Sequence, residues 1–585
     1  MKILGLNCYH WDSSACLVEN GKILYAIEEE RLNRIKHWSG FPLLSINSAL
    51  DKFGWCFEDL NIIAIANKKT VNFNKLKYAF KNPMLAYKST RGRRRNIIDD
   101  LAAHFKVATN LVKKKVVYVD HHVAHVASSY YCSGYENSAF LTLDAMGDFK
   151  SSISGIIINN KWKFFSEDTY PNSLGILYTA ITQYLGFVNV GDEYKVMGLA
   201  PYGVPKYVDS FENLLNVNKN GSIKMNLKYF THHRVKLDMS MNGDKCILPI
   251  LYSNDFKEYF NNLFLSELKL NCEYSREQFQ KDISASIQNF TEKVIINKVN
   301  SLYKISGKIN SLCISGGVGQ NSVANGKLHN KDGFKNVFIP WASHDAGLSI
   351  GAALYIANEK LEFKDIYINK SPYLGDSFTD DEIINILNDY NDLVFQKLDI
   401  DSLLIKVVDL LVSNQVIGWF QGPSEFGPRA LGNRSIIVDP RNPNVRDLLN
   451  LKIKRRENFR PFAPSILEEY VNDYFIDSHI APYMERVLKI RIKYHDIIPA
   501  VTHVDGTGRL QSVSKDSNPM YYSLIKEFYR KTNVPVLLNT SFNENEPIVN
   551  TPKEAIAVLL RTEMDALVVN NFLITKRSLN LLDFK

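Results

Sequence analysis

Short apolar runs and polar turns alternate along the first part of the chain, and one order of runs occurs twice. Runs at 3–7, 15–18 and 22–27 read as strands. The polar turn His10-Trp11-Asp12-Ser13-Ser14 separates the first two, and Asn20-Gly21, a strong tight-turn signal, separates the last two. Runs at 140–143, 152–158 and 162–165 repeat the layout, with Asp144-Ala145-Met146-Gly147-Asp148 as the polar turn and Asn159-Asn160 as the tight one. The identities differ; the order does not. Self-similarity of this kind points to internal duplication. Further strands are expected at 62–66, 116–119 and 309–314, and helices at 42–53, 96–112, 124–131, 276–304 and 348–357. A plain mixed α/β domain would show the same elements, so the layout alone leaves duplication open.

From 358 to 373 the chain turns to connector composition and ends on Ser371-Pro372. A boundary is expected there, giving domains 1–360 and 361–585. The second domain reads as α/β, with helices at 380–388 and 401–413 and a strand at 416–420.

At 585 residues the chain is too long for one ordinary core, which agrees with two domains. Its seven cysteines are scattered, odd in number and without a C-x-x-C pair, so reduced thiols in the cytoplasm are expected rather than a disulfide scaffold or zinc ribbon. No apolar run reaches membrane-spanning length, and the start turns polar too early for a secretory signal. The net charge of +8 permits acidic partners without choosing among them. The basic runs at 91–95 and 113–115 read as solvated helix surface, and no nucleic-acid module is recognisable.

The candidate chemistry begins at Asp120-His121-His122-Val123-Ala124-His125, which follows a strand and opens a helix. Residues four apart share a helix face, so His121 and His125 point together and would hold a divalent metal if a third ligand came from elsewhere. The alternative is a helix start capped by Asp120. Asp345 opens the small-residue helix at 348–357; it is a cap or that third ligand. After the strand at 309–314, the turn Ser315-Gly316-Gly317-Val318-Gly319-Gln320-Asn321 would let backbone N–H groups approach a phosphate or ribose. Gly316, Gly317 and Asn321 are therefore candidate nucleotide contacts. Glu193 and Lys195 sit among small residues in the stretch 191–203, as an ion pair or, on the preferred reading, facing a ligand.

The most unusual composition lies at 422–441 and 450–464, with later stretches at 509–513 and 539–543. Arginines there stand beside Gly, Pro and Phe in stiff, irregular backbone rather than on a solvated helix face. Converging guanidiniums suit phosphate or carboxylate, one anion or two. Structural Arg–carboxylate pairs are the competing reading.

Taken in order, Ala26-Ile27-Glu28-Glu29-Glu30-Arg31 with Lys36-His37, the His121/His125 pair, 191–203, Gly316-Gly317, Asp345-Ala346-Gly347, 427–434, 454–464 and 539–543 resemble the O-carbamoyltransferases of the nodulation protein U, cephamycin and tobramycin type. The resemblance covers nearly the whole chain. It implies an N-terminal actin-like ATPase (duplicated RNase H-like) domain, similar to the tRNA threonylcarbamoyl-transfer proteins, followed by a YrdC-like α/β domain. It implies that the second domain binds carbamoyl phosphate and ATP, releases phosphate and forms carbamoyl-adenylate. An acceptor hydroxyl would then displace AMP at the metal of the first domain. Carried over residue by residue, Arg429, Lys454, Arg460 and Arg509 match anion-binding positions, with Lys454 and Arg460 acting on the reacting groups and Arg434 in the same motif. Asn539 and Asn543 match a loop near that site. His121, His125 and Asp345 match the metal ligands, usually Fe2+, with Asp144 close by and Mg2+ expected alongside ATP. Asp12 would orient or deprotonate the acceptor hydroxyl, with His10 near it. One departure stands out: the family places His directly before that Asp, and here Trp11 intervenes. The expected partner is a small-molecule or sugar acceptor with a free hydroxyl, not nucleic acid or membrane, and a homodimer is among the expected assemblies. The alternatives are a sugar kinase or actin-like ATPase with an appended anion-binding domain, and a tRNA-modifying protein.

Overall fold

The computed structural model describes residues 1–67, 97–235, 237, 240–242, 245–329, 333–360, 368–477 and 479–577. The chain forms two compact units, Met1–Lys370 and Ser371–Lys585. The boundary expected between 360 and 361 falls at the edge of 361–367, which lie outside the described residues, as does the basic run 91–95.

In the first unit, β1 (Lys2–Asn7), β2 (Ser14–Glu19) and β3 (Lys22–Glu28) form an antiparallel meander. β4 (Ile62–Ala66) and β5 (Val116–Val119) add to β1 in parallel, giving the order β3-β2-β1-β4-β5. The second meander is β6 (Ser138–Thr142), β7 (Lys150–Ile158) and β8 (Lys161–Thr169). A long insertion follows. It carries the hairpins β9 (Leu215–Val217)/β10 (Ile223–Met225) and β11 (Ser240–Asn242)/β12 (Lys245–Ile247), and the helix Arg276–Ile305. Then β13 (Ser311–Ser315) and β14 (Asn336–Phe338) add to β6 in parallel, giving β14-β13-β6-β7-β8. Strand for strand, with the same sense at every pairing, the second sheet repeats the first. The duplicated layout is therefore a duplicated RNase H-like fold, the actin-like ATPase architecture.

The stretch expected as one helix at 96–112 is two, Ile97–Phe105 and Thr109–Lys115, broken where Lys106 takes a φ of 55°. The helix expected at 124–131 is longer, His121–Ser133, because the Asp120 side chain caps its start by accepting from the backbone N–H groups of His122 and Val123.

Two helices join the halves. Leu348–Lys360 packs on β1, β2 and β4, His121–Ser133 packs on β6 and β13, and the two pack on each other. Both are buried along most of their length, which suits their small residues. Their approach is backbone-close: a Cβ on Gly351 would lie 1.8 Å from the carbonyl oxygen of Ala124.

The second unit is built on a mixed nine-stranded sheet. Its order is β15 (Leu393–Lys397), β23 (Phe572–Lys576), β22 (Ala566–Val569), β16 (Ile417–Phe420), β17 (Arg434–Val438), β21 (Val536–Ser541), β18 (Ala463–Leu467), β20 (Thr507–Val513), β19 (Arg486–Lys489). Helices Ile400–Val412, Pro519–Thr532 and Pro552–Arg561 pack on it around one apolar core. All seven cysteines are free thiols. Among the described residues no helix is long and apolar enough to cross a membrane.

Ala in place of Gly inside a helix ordinarily gains about 1 kcal/mol, whereas overpacking costs about 1–3 kcal/mol. With 1.8 Å to the Ala124 oxygen, packing decides the sign at this crossing. Gly351→Ala is expected to lower stability by about 1–2 kcal/mol in urea unfolding followed by circular dichroism. An unchanged or raised midpoint would show that the helices are not held so close.

Candidate active site

The duplication sets the two polar turns, one from each half, beside the starts of the two central helices. His121 and His125 project from His121–Ser133, Asp144 stands just after β6, and Asp345 opens a 3-10 turn leading into Leu348–Lys360. Their ligand atoms lie within 4.8 Å of one another, and all four residues are buried. His121 Nε2 is 3.0 Å from Asp144 Oδ2 and 3.7 Å from Asp345 Oδ1. His125 Nε2 is 3.3 Å from Asp345 Oδ1 and 4.0 Å from Asp144 Oδ2. Bonds of about 2.1 Å put the donors of one ion roughly 3–4 Å apart, so these spacings fit a single coordination sphere. His125 Nε2 and Asp345 Oδ1 are buried without a hydrogen-bond partner, a costly state that a cation between them would remove. Two imidazoles with two carboxylates suit iron, zinc or manganese better than magnesium.

The electrostatics agree. Burial works to raise the Asp144 carboxyl, as does the charge of Asp345, yet the His121 hydrogen bond and the two histidines hold it down at about 2. Burial also works against the Asp345 charge, but His10, His125 and His121 hold that carboxyl well below the usual range. Burial opposes charging His121, but Asp144 and Asp345 lift it to about 9, the mark of a strongly anionic surrounding. His122 turns the other way: it bonds the Thr142 hydroxyl (2.8 Å), and burial drives it down to about 3.

The surrounding residues hold this cluster in place. His10 Nδ1–H donates to Asp345 Oδ2 (2.6 Å). The Gly317 N–H donates to Asp144 Oδ1 (3.1 Å), so the glycine turn grips a carboxylate. Asp148 Oδ2 accepts from the His121 N–H (2.9 Å). A Cβ on Gly147 would strike the His121 ring at 2.1 Å, which explains the glycine in that turn.

Trp11 separates the two acidic-turn roles. His10 reaches the Asp345 side, while Asp12, with a φ of 52°, accepts from His37 Nδ1 at 2.7 Å. Burial opposes the Asp12 charge, but His37 and His344 keep its carboxyl below the ordinary value. Asn7 fixes this turn by donating to the Trp11 and Asp12 carbonyls.

Elsewhere in the unit, Lys195 pairs with Asp192 (2.8 Å), not with Glu193, and Glu193 accepts from the Thr179 hydroxyl. Asn321 caps the helix Ser322–Gly326 and exchanges amide hydrogen bonds with Gln288, 3.0 Å each way. Gly316 takes a φ of 97° and leads into the turn that holds Asp144.

The second unit gathers cations of two kinds. Arg434 is fully buried, stacks 3.5 Å over Phe420, and donates to the carbonyls of Gln421, Gly422, Asn433 and Asp376. Lys454 is buried and donates to the Ser541 carbonyl and to the Asn543 carbonyl and side-chain oxygen. These two hold loops together, and Asn543 is held in turn. Arg509 differs. Burial, then the nearby charges of Arg429 and Arg456, push its guanidinium well below the usual range, and its Nε is buried without a partner. Arg460 bonds Glu457 (2.7 Å), and Arg456 donates to Asn450 and lies over Phe462. A cluster of like charges around Arg509 is relieved by an anion.

Several supporting residues were not singled out from the sequence. Glu425 accepts from the backbone N–H groups of Leu431, Asn433 and Arg434 and so shapes the arginine loop. Asp148, His37 and Gln511 also take part. The polar turn Asp144–Asp148 is a usable signal for Asp148, and the Lys36-His37 motif for His37; the contacts of Glu425 and Gln511 are long-range and leave none.

The family described as Carbamoyltransferase N-terminus matches residues 2–354, and that described as Carbamoyltransferase C-terminus matches 408–576. An uncharacterized protein of Synechocystis is 38% identical, over 98% of this chain and 96% of that protein. Nodulation protein NolNO of Sinorhizobium fredii is 35% identical, over 98% of this chain and 80% of its own. Among solved structures, HypF of T. kodakarensis overlays with a TM-score of 0.31 at 15% identity, covering 61% of this chain and 48% of that one.

His125→Ala should reduce tightly bound ferrous iron at least about tenfold, measured by metal analysis after anaerobic loading and gel filtration. His122→Gln, altering the histidine that faces Thr142, should keep it. Equal iron in the two variants would place the metal elsewhere.

Proposed function

This chain belongs to the carbamoyltransferase family, and from that premise we propose that it is an ATP-dependent O-carbamoyltransferase acting on a hydroxyl of a small-molecule or sugar acceptor. What carries the proposal is that the two family matches fall on two units, each with a buried charged cluster of its own. One is anionic and suits a metal, and the other is cationic and suits phosphates.

In the second unit, carbamoyl phosphate and ATP meet Arg429, Arg460 and Arg509, which neutralise their phosphates. Water releases phosphate from carbamoyl phosphate to leave carbamate. The carbamate oxygen then bonds the α-phosphorus of ATP as the bond to pyrophosphate breaks, and Mg2+ carried in with ATP would neutralise charge on that leaving group. Carbamoyl-adenylate is the result, a carbamoyl group carrying a good leaving group. Lys454 and Arg434 contribute by holding the 541–543 and 421–434 loops in shape.

In the first unit, the acceptor hydroxyl oxygen bonds the carbamoyl carbon as the C–O bond to AMP breaks. Asp12, itself held by His37, orients that hydroxyl and takes its proton as the new bond forms. A divalent ion on His121, His125, Asp144 and Asp345, expected to be Fe2+, would stabilise the charge that develops on the departing phosphate. His10 fixes the Asp345 carboxylate for that task.

The duplicated RNase H-like unit supports one other reading, a sugar kinase or actin-like ATPase, for which the guanidinium cluster has no use. Nucleotide products separate the two. With ATP, Mg2+ and ferrous iron, AMP and pyrophosphate should form only when carbamoyl phosphate is added; ADP, or no dependence on carbamoyl phosphate, would favour the kinase.

The two clusters should also separate by mutation. Arg460→Ala should slow AMP formation about 100-fold. His121→Ala should abolish transfer yet keep carbamoyl-phosphate-dependent pyrophosphate exchange into ATP. Loss of exchange in a folded His121→Ala protein would refute this division of labour.

A further inference from the structure

Trp11 stands where the family pattern has no residue, between His10 and Asp12. Its backbone lets those two reach different partners. Its side chain lies beside the place where an acceptor hydroxyl would meet Asp12.

The turn that carries it is held rigidly. One amide nitrogen, Asn7 Nδ2, donates to the carbonyl of Trp11 (2.6 Å) and to that of Asp12 (3.1 Å). Indole and carboxylate are therefore presented on one fixed piece of backbone. Trp11 is half-buried and packs against Val190, Cys246 and Leu248. Val190 precedes the helix Glu193–Leu199, Cys246 lies on β12, and the Val190 N–H donates to the Cys246 carbonyl at 2.9 Å. The next residue, Gly191, takes a φ of 82° and lies on the His37 ring, where a Cβ would be 2.3 Å from Nε2. One loop thus meets Trp11 with Val190 and His37 with Gly191. Indole, imidazole and the Asp12 carboxylate are gathered at one place.

The polar groups there are mostly hydrogen-bond acceptors. Asp12 Oδ1 is engaged by His37 Nδ1 at 2.7 Å. Asp12 Oδ2 has no hydrogen bond among the described residues, and His344 Nε2 stands 3.9 Å from it. Glu30 offers a carboxylate oxygen within 4.8 Å of atoms of both Asp12 and His37. A simple alcohol would use Asp12 Oδ2 and leave Glu30 unmatched. An alkyl chain would find only the short wall of Val190, Cys246 and Leu248. A sugar ring matches both sides: O–H groups on its edge donate to carboxylates, and the slightly positive C–H bonds of its face lie on the negative face of an indole.

We infer that Trp11 is a specificity-determining residue, the platform on which the ring of a pyranose acceptor stacks so that one ring hydroxyl reaches Asp12 Oδ2. That hydroxyl gives its proton to Oδ2 while its oxygen bonds the carbamoyl carbon and the bond to AMP breaks. The inference rests on the transfer reaction proposed above and narrows its acceptor to a cyclic sugar. β12 and the 190–191 loop serve to hold the platform against Asp12.

The test uses the full chain with ATP, Mg2+, ferrous iron and radiolabelled carbamoyl phosphate. The probes are the methyl pyranosides of glucose, galactose and mannose, each beside its open-chain polyol (sorbitol, galactitol or mannitol), which offers hydroxyls without the ring. Label transfer and AMP formation are both followed. At least one pyranoside should be carbamoylated with a kcat/KM about tenfold or more above that of its polyol. In Trp11→Ala the KM for that pyranoside should rise about tenfold with kcat held within about twofold, because stacking binds ground and transition states alike. Trp11→Phe should recover most of the loss. Polyols carbamoylated as well as pyranosides by the wild-type chain, or no transfer to any pyranoside while AMP still forms with carbamoyl phosphate, would overturn the inference and leave the proposed function standing. Neither outcome depends on a variant that folds. In Trp11→Ala, a fall in kcat at unchanged KM would make the indole a prop of the Asp12 turn, and a raised KM for ATP would give it to the adenine ring; either overturns the inference. Absence of carbamoyl-phosphate-dependent AMP formation would overturn the proposed function and the inference with it.

Discussion

The first unit depends on the crossing of two helices at a point where neither backbone has room for a side chain between them. His121–Ser133 belongs in sequence to the first half and packs on the second sheet; Leu348–Lys360 does the reverse. Gly351 against Ala124 fixes how near they come. Because His121 and Asp345 stand at or just before the starts of these helices, that approach also fixes the spacing of the candidate ligands. A side chain in the crossing would act on the fold and on the metal cluster together.

The two units solve opposite electrostatic problems. Asp144 and Asp345 are buried carboxylates close enough to repel, and the positive groups set against them are His121 and His125 with the bond from His10. Arg509 is a cation crowded by Arg429 and Arg456. Like charges gathered away from water are costly, and a folded protein retains them where a ligand of opposite charge occupies the place.

Much of the first unit was legible. Period-two runs and tight-turn residues marked both meanders, because such patterns follow from local backbone chemistry. The i,i+4 spacing put His121 and His125 on one helix face, and the same geometry sends His122 to Thr142. The long-range partners were not legible. Lys106 broke an expected helix through a single left-handed residue. Lys195 found Asp192 rather than Glu193, and Asn321 is engaged by Gln288, a residue of the insertion. Inserted Trp11 looked like a disturbance of the His–Asp turn. In the fold it lets one turn serve two partners, with His10 on Asp345 and Asp12 on His37.

In the second unit, composition identified the cations but not their work. Arg434 and Lys454 stand in the same motifs as Arg429 and Arg460, yet the terminal nitrogens of Arg434 and the Lys454 ammonium donate to backbone carbonyls and the Asn543 amide. Carbonyl oxygens carry only partial charge, so a cation satisfied by them keeps most of its field while losing its freedom to move. Arg434 and Lys454 thus stiffen the loops, and Lys454, at Ser541, also adds positive potential to the face where Arg509 lies. Asn539 is the inverse case, a neutral side chain whose position is set by neighbours and whose remaining oxygen is left unmatched. A preorganised site needs both kinds: charge held where it cannot relax toward solvent, and a neutral group whose orientation does not depend on the ligand.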